Sequence, residues 1–138
     1  MAKTAGNTTS DVTQLKVLVA DDDVEILSLV TQRLKSMGKF HVLEASDGEE
    51  ALRIAQAEHP QLIVLDVMMP SMSGWEIARI LREDDAFKQT GIIMLTGIGE
   101  RLNEMTSPLY GADDYLDKPF DFKEFDQKVV QVLEKYFG

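Results

Sequence analysis

Several short apolar runs in this sequence are followed at once by a side chain that could do chemistry. The most pronounced example is Asp66, a lone carboxylate that closes an apolar run and precedes further apolar residues. Carboxylates can bind a divalent cation or act as nucleophiles, a hydroxyl can donate a hydrogen bond, and an ammonium can neutralise negative charge. The residues in such positions are Asp21, Asp22, Asp66, Thr96 and Lys118.

Short apolar runs bounded by polar residues predict the strands that carry these side chains. Runs of this kind are typical of the inner strands of a parallel sheet that helices cover on both faces. The run that precedes Asp66 is apolar at every position, which indicates the central strand. The predicted strands span residues 15–20, 40–45, 62–65, 92–95 and 115–116.

Apolar residues recur every three or four positions between the predicted strands, which is typical of amphipathic helices. The first such pattern begins at Val24 and ends before Gly38, a residue that tolerates the left-handed turn at a helix end. Capping residues at 46–50 and small polar residues at 71–74 precede the second and third helices. The last helix is predicted over 121–137.

The alternation of five strands with helices predicts an α/β fold with a five-stranded parallel sheet, right-handed crossovers and helices on both faces. The carboxyl ends of parallel strands meet at one edge of the sheet, where ligands gather. Each polar strand-end residue alone has an ordinary structural explanation, such as helix capping for the acids. Their joint occurrence at several strand ends predicts a site.

Composition limits the classes of protein to which this chain can belong. Its 138 residues suit one domain over 15–138, after a polar segment, 1–14, that we expect to be a flexible tail. There is no cysteine, and His41 and His59 are too far apart to suggest a local metal motif. A formal net charge of -10 argues against direct nucleic-acid binding. Without a membrane-length apolar run or a signal core, we expect a cytoplasmic protein without membrane contact.

Carboxylates gathered at one edge cannot all ionise cheaply, and a divalent cation with oxygen ligands relieves their repulsion. Mg²⁺ suits so few protein ligands, with Mn²⁺ as an alternative. The predicted ligands are one or both of Asp21 and Asp22, together with Asp66 and the backbone carbonyl of Met68. Beside the metal, Asp66 could attack phosphorus to give an aspartyl phosphate. Thr96 and Lys118 would then each contact one phosphoryl oxygen.

Five motifs, in this order and spacing, resemble a response-regulator receiver domain of two-component signalling, such as the chemotaxis regulators. The resemblance covers roughly residues 15–137. It implies the flavodoxin-like, doubly wound sheet with strand order 2-1-3-4-5. The motifs are 19–23 (VADDD), 65–70 (LDVMMP), 94–96 (MLT), 111–116 (GADDYL) and 118–120 (KPF).

The resemblance implies that Asp66 is phosphorylated by a histidine kinase or a histidine phosphotransfer protein. It further implies that Thr96 and Tyr115 form a switch pair, which remodels the face made by helix 4, strand 5 and helix 5 of the family. The peptide bond between Lys118 and Pro119 is expected to be cis. The downstream target or output domain is not named by these residues.

Two side chains flank the phosphoacceptor position in the family and influence the water that hydrolyses the aspartyl phosphate. Here they are Met68 and Ile98, and neither can orient a water, so we expect a long-lived phosphorylated state. Two departures concern the signalling face. Pro108 interrupts the segment that is normally helix 4. The last helix contains no arginine, which argues against the salt-bridged dimer of many DNA-binding relatives.

Three alternatives come from other functional classes. A flavodoxin that binds flavin needs hydroxyls and backbone donors in its first loop, whereas three acids at 21–23 would repel a phosphate. A phosphatase of the haloacid dehalogenase type needs a second acid two residues after the nucleophile, where this chain has Met68. The third alternative is an interaction module that has lost phosphorylation, and the presence of Asp66, Thr96 and Lys118 argues against it.

Overall fold

The computed structural model describes residues 14–97 and 111–138. The predicted tail up to residue 13, Ile98 and the segment around Pro108 lie outside these described residues. Within the two described ranges there are five strands and four α-helices, with a short 3₁₀ helix at Asp85–Phe87. The strands are β1 (Leu15–Ala20), β2 (Phe40–Ala45), β3 (Leu62–Asp66), β4 (Gly91–Thr96) and β5 (Asp114–Asp117). The helices are α1 (Val24–Ser36), α2 (Gly48–Glu58), α3 (Gly74–Arg82) and α4 (Phe122–Phe137).

All five strands are parallel and lie in the order β2-β1-β3-β4-β5. This order confirms the predicted flavodoxin-like fold class. Ala20 pairs with both Ala45 and Leu65, Asp66 pairs with Leu95, and so the carboxyl ends of the strands lie side by side. The residues that follow these ends are therefore neighbours in space even though they are far apart in sequence.

The sheet divides the interior into two apolar cores, one on each face. Successive residues of β3 alternate between them, because side chains of a strand point to opposite faces. Ile63 and Leu65 pack into one core with α2 and α3, whereas Leu62 and Val64 pack into the other with α1 and α4. Every residue of β3 is buried, which explains the continuous apolar run of the four residues that precede Asp66. Helices thus cover both faces, as predicted.

Helix starts are fixed by side chains that accept hydrogen bonds from otherwise unpaired backbone N–H groups. α3 has a full capping box, in which Ser73 and Glu76 each accept from the backbone of the other. The N-cap residues of α1 to α4 are Asp23, Asp47, Ser73 and Asp121.

No helix in the described ranges is long and apolar enough to cross a membrane.

Gly74 allows α3 to begin directly against the end of β3. Its backbone N–H donates to the carbonyl oxygen of Val67 over 2.8 Å. A Cβ at this position would collide with the carbonyl oxygen of Asp66, so only glycine permits so close an approach. The packing of α3 therefore defines the backbone that carries the Asp66 carboxylate.

A buried ionic network holds the start of β5 against α3 and α4. Arg82 donates to the carbonyl oxygen of Gly111 over 2.8 Å and to Asp113 Oδ2 over 2.9 Å. The same Asp113 oxygen accepts from the backbone N–H of Ile92, and Asp113 Oδ1 accepts from the Tyr136 hydroxyl. Only 4% of the Asp113 side chain is exposed, and Arg82 together with Lys135, whose Nζ lies 2.7 Å from Asp113 Oδ1, compensates its charge.

Replacement of Asp113 by alanine should therefore destabilise the fold strongly. Asp113→Ala leaves the Arg82 guanidinium without its counter-ion, and we expect the free energy of unfolding to fall by about 3–5 kcal/mol. Glu58→Ala is the matched control, because the Lys16–Glu58 pair is more than 40% exposed at both side chains. It should lower the free energy of unfolding far less, because solvent screens an exposed ion pair. Urea unfolding measures the free energy of unfolding of both variants. Equal losses in the two variants would contradict the stabilising role of the network.

Candidate functional site

Two buried carboxylates and one ammonium meet at the carboxyl edge of the sheet. Asp21 directly follows β1, Asp66 ends β3, and Lys118 follows β5. Asp21 is fully buried and Asp66 nearly so. Lys118 Nζ lies 3.0 Å from Asp21 Oδ2 and 3.2 Å from Asp66 Oδ1, so the lysine ammonium bridges both acids. Asp22 is exposed and completes a group of three acids, one oxygen of each lying within 4.8 Å of the others.

Backbone contacts orient these side chains. The backbone N–H of Asp23 donates to Asp21 Oδ1 over 2.9 Å, while the Asp23 carboxylate caps α1. The third acid of the 21–23 run is thus a helix cap, and the first two face the site. The backbone N–H of Lys118 donates to the carbonyl oxygen of Thr96 over 2.7 Å. The Lys118–Pro119 peptide bond is cis, as the resemblance implies.

The site disfavours the ionised form of Asp66 in the absence of a further cation. Burial, followed by the negative charge of Asp21, raises the pKa of Asp66 to about 7, although Lys118 acts in the opposite direction. Burial alone would lower the pKa of Lys118, but the carboxylates of Asp21 and Asp66 outweigh it and raise that pKa above its ordinary value. Lys118 therefore stays charged, while Asp66 is close to titration near neutral pH.

The three acids suit a hard divalent cation. Their oxygens are close enough to share one ion, and one ammonium compensates only part of their negative charge. Asp22 is exposed, which leaves the group accessible from solvent. Among the residues that the structure describes, no other group of three acids or histidines lies so close together. The predicted ligands Asp21, Asp22 and Asp66 thus lie in one place.

Thr96 lies at the end of β4, and its hydroxyl makes a contact that the sequence did not predict. The side chain is fully buried, and Oγ1 donates to Asp117 Oδ1 over 2.7 Å. Thr96 and Asp117 are partners in the β4–β5 register. Alternation along β5 could have indicated this contact, because Asp117 lies two residues after Tyr115 and so shares its face of the sheet.

Tyr115 packs against the core formed with α2 and α3, and its ring centroid lies 6.0 Å from that of Trp75. It is partly buried. Met68, two residues after Asp66, leaves 60% of its surface exposed, which puts its side chain at the solvent edge of the strand ends. The second residue assigned to lifetime control, Ile98, is outside the described residues.

Comparison with known proteins agrees with this geometry. The family model for the response regulator receiver domain matches residues 17–130. This chain belongs to that family. Its receiver fold is similar to the chemotaxis response regulator CheY4 of Vibrio cholerae, with a TM-score of 0.81, 34% identity, and coverage of 88% of this chain and 100% of CheY4. The family match favours the receiver interpretation over the flavodoxin and phosphatase alternatives.

Curated relatives of the receiver chain include longer regulators. The probable transcriptional regulator ycf27 of Cyanophora paradoxa is 41% identical over 125 residues, which cover 91% of this chain and 51% of ycf27. The alkaline phosphatase synthesis transcriptional regulatory protein PhoP of Bacillus subtilis is 41% identical over 120 residues, covering 87% of this chain and 49% of PhoP. The chain thus spans about half the length of these relatives.

The raised pKa of Asp66 predicts that any binding of Mg²⁺ to these acids depends on pH. A cation held by Asp66 would bind the carboxylate form, and with a pKa of about 7 the site holds a proton on Asp66 at lower pH. We therefore expect the Mg²⁺ affinity to rise by up to about tenfold per pH unit below that pKa and to level off above it. Titration calorimetry at a series of pH values measures this. Asp66→Asn should bind weakly without the steep rise, whereas a flat wild-type profile would contradict the prediction.

Proposed function

We propose that this chain is a phosphoacceptor that signals through the phosphorylation of Asp66 by a histidine kinase or a histidine phosphotransfer protein. The observation that supports this most directly is the buried Asp66 carboxylate held between Asp21 and Lys118, in a chain that belongs to the receiver family. Its output is a changed affinity for a protein partner, and its role is signalling rather than turnover of a substrate.

The transfer uses an Asp66 oxygen as the nucleophile. An oxygen lone pair forms the new O–P bond while the P–N bond to the phosphohistidine of the donor breaks. The imidazole leaves with the electron pair of the broken bond. Lys118 already contacts Asp66 Oδ1 at 3.2 Å, so its ammonium is placed to neutralise charge on one phosphoryl oxygen. The Thr96 hydroxyl donates a hydrogen bond to another of these oxygens.

Asp21, Asp22, Asp66 and the backbone carbonyl of Met68 are the proposed ligands of a Mg²⁺ ion, with Mn²⁺ as the alternative. When bound, the cation supplies positive charge that offsets the negative charge of the phosphoryl oxygens. The chain itself contributes two acids in the sheet edge and one exposed acid, Asp22. The high pKa of Asp66 supports this assignment, because a cation favours the carboxylate that acts as the nucleophile.

Thr96 and Tyr115 form the proposed switch. Movement of the Thr96 hydroxyl toward the phosphoryl group leaves space that the Tyr115 ring can enter, and the surface that includes β5 and α4 changes with it. Tyr115 lies on the strand next to β4, paired with Met94, so a shift at Thr96 reaches it through adjacent residues. This surface is the proposed binding site for a downstream protein or output domain.

The partners that we propose for this chain are proteins. Its net charge of -10 repels nucleic acid. The relatives named as transcriptional regulators are about twice as long as the matched region. Any DNA contact by a longer protein of that kind would then come from a different part of it, under the control of the receiver. A cytoplasmic location follows from partnership with a cytoplasmic kinase domain.

Phosphorylation of Asp66 can be tested with a small phosphodonor such as acetyl phosphate. With Mg²⁺ present, intact-mass measurement should show the addition of one phosphoryl group to wild type and none to Asp66→Asn. Asp85→Asn is the matched control, since it removes an exposed acid in the 3₁₀ helix, and it should behave like wild type. Chelation of the metal should stop labelling. Equal phosphoryl uptake by Asp66→Asn and wild type would show that Asp66 is not the nucleophile.

The lifetime of the phosphorylated state should depend on Met68. Its side chain cannot orient a water for attack on the aspartyl phosphate, so we expect slow hydrolysis in wild type. Met68→Asn adds a group that can orient a water, and the decay rate measured by mass after removal of the donor should change several-fold, with phosphorylation still possible. Val130→Asn places the same change on an exposed position of α4 and should have no effect. Fast wild-type decay that Met68→Asn leaves unaltered would exclude lifetime control by this residue.

A further inference from the structure

The hydroxyl of Thr96 already has an acceptor in this structure, the carboxylate of Asp117. The two residues are register partners at the ends of β4 and β5, and partners in adjacent strands point to the same face of the sheet. The distance of 2.7 Å between Thr96 Oγ1 and Asp117 Oδ1 is typical of a hydrogen bond to an ionised acceptor. The second neighbouring acceptor, the carbonyl oxygen of Leu116, is more distant at 3.5 Å.

A threonine hydroxyl has one proton and can donate only one strong hydrogen bond at a time. Donation to Asp117 and donation to a phosphoryl oxygen on Asp66 therefore exclude each other. We propose that Asp117 is a latch: it holds the Thr96 hydroxyl away from the phosphoacceptor and so stabilises the unphosphorylated conformation. This inference rests on the proposed function of Asp66 and adds a residue that sets the threshold of its switch.

The backbone allows the hydroxyl to change acceptors without separation of the strands. The backbone N–H of Lys118 donates to the carbonyl oxygen of Thr96 over 2.7 Å, which ties the end of β4 to the residue after β5. Rotation of the Thr96 side chain leaves this bond intact. Asp117 is exposed, so its carboxylate can be hydrated once the hydroxyl has left. The exchange thus requires a rotation of one buried side chain.

The latch also lies beside the proposed switch aromatic. Tyr115 and Asp117 are two residues apart on β5, and so their side chains share the face to which Thr96 belongs. Release of the hydroxyl from Asp117 and entry of the Tyr115 ring into the space near Thr96 therefore occur in one row of side chains. The carboxylate of Asp117 favours the unphosphorylated state, in which neither of these two movements has taken place.

Beryllofluoride with Mg²⁺ is a phosphoryl analogue whose binding can be measured at equilibrium. Loss of one charge-assisted hydrogen bond from the unbound state should make Asp117→Ala bind it about tenfold more tightly than wild type. Asp117→Asn retains a weaker, neutral acceptor and should lie between the two. Asp114→Ala is the control, because it removes an acid from the same strand that pairs with Lys128 instead. It should bind like wild type.

A double-mutant cycle separates the latch from simple charge repulsion between Asp117 and the anionic analogue. In a Thr96→Val background there is no hydroxyl to hold, so Asp117→Ala should leave the affinity unchanged. An equal gain in both backgrounds would overturn the latch in favour of repulsion, and so would the absence of any gain in Asp117→Ala. Phosphoryl uptake by wild type is measured alongside: if it fails, the proposed function fails, and if it succeeds without an effect of position 117, only the latch is refuted.

Discussion

The constraint on which the site depends is the burial of two carboxylates at the same edge of one sheet. Asp21 and Asp66 are withdrawn from water, and the negative charge of Asp21, together with burial, disfavours the ionised form of Asp66. The ammonium of Lys118 bridges them, 3.0 Å from Asp21 Oδ2 and 3.2 Å from Asp66 Oδ1. Lys118 stays charged because both carboxylates raise its pKa. The result is a carboxyl group whose pKa of about 7 makes it responsive to any added positive charge.

Such an arrangement is stable only if the backbone prevents the acids from moving apart, and the two apolar cores provide this restraint. The central strand β3 is buried along its length between them. Gly74 brings α3 against the carbonyl of Asp66, and Asp23 links the start of α1 to the Asp21 carboxylate. Closely packed interiors resist such displacement. The packed frame therefore keeps the two acids close together on either side of Lys118.

Strand β5 experiences different constraints at its two ends. Near its start, the carboxylate of Asp113 accepts hydrogen bonds that originate in α3, β4 and α4, a fully compensated and buried arrangement. At its end, Asp117 is exposed and accepts a hydrogen bond from the hydroxyl of Thr96 in β4. A change at the strand ends can thus alter side chains at the site while the start of β5 keeps its position. This contrast is compatible with a switch in which aromatic and hydroxyl groups move over an unchanged sheet.

The sequence by itself determined the element order, the five strand positions and the edge at which Asp21, Asp22, Asp66, Thr96 and Lys118 collect, because hydrophobic periodicity and strand-end position are local properties of the chain. The resemblance supplied the strand order. Strands β4 and β5 each proved one residue longer at both ends than the apolar runs, since backbone pairing continues through Gly91 and Asp114 at their starts and through Thr96 and Asp117 at their ends.

Only the tertiary structure decided the contacts between distant residues: the Thr96–Asp117 hydrogen bond, the Trp75–Tyr115 ring contact and the Arg82–Asp113 network. It also decided the pKa of Asp66, which depends on burial and on the distance to Asp21. These quantities depend on the register between strands and on what covers each side chain, and neither is encoded in the types of neighbouring residues along the chain.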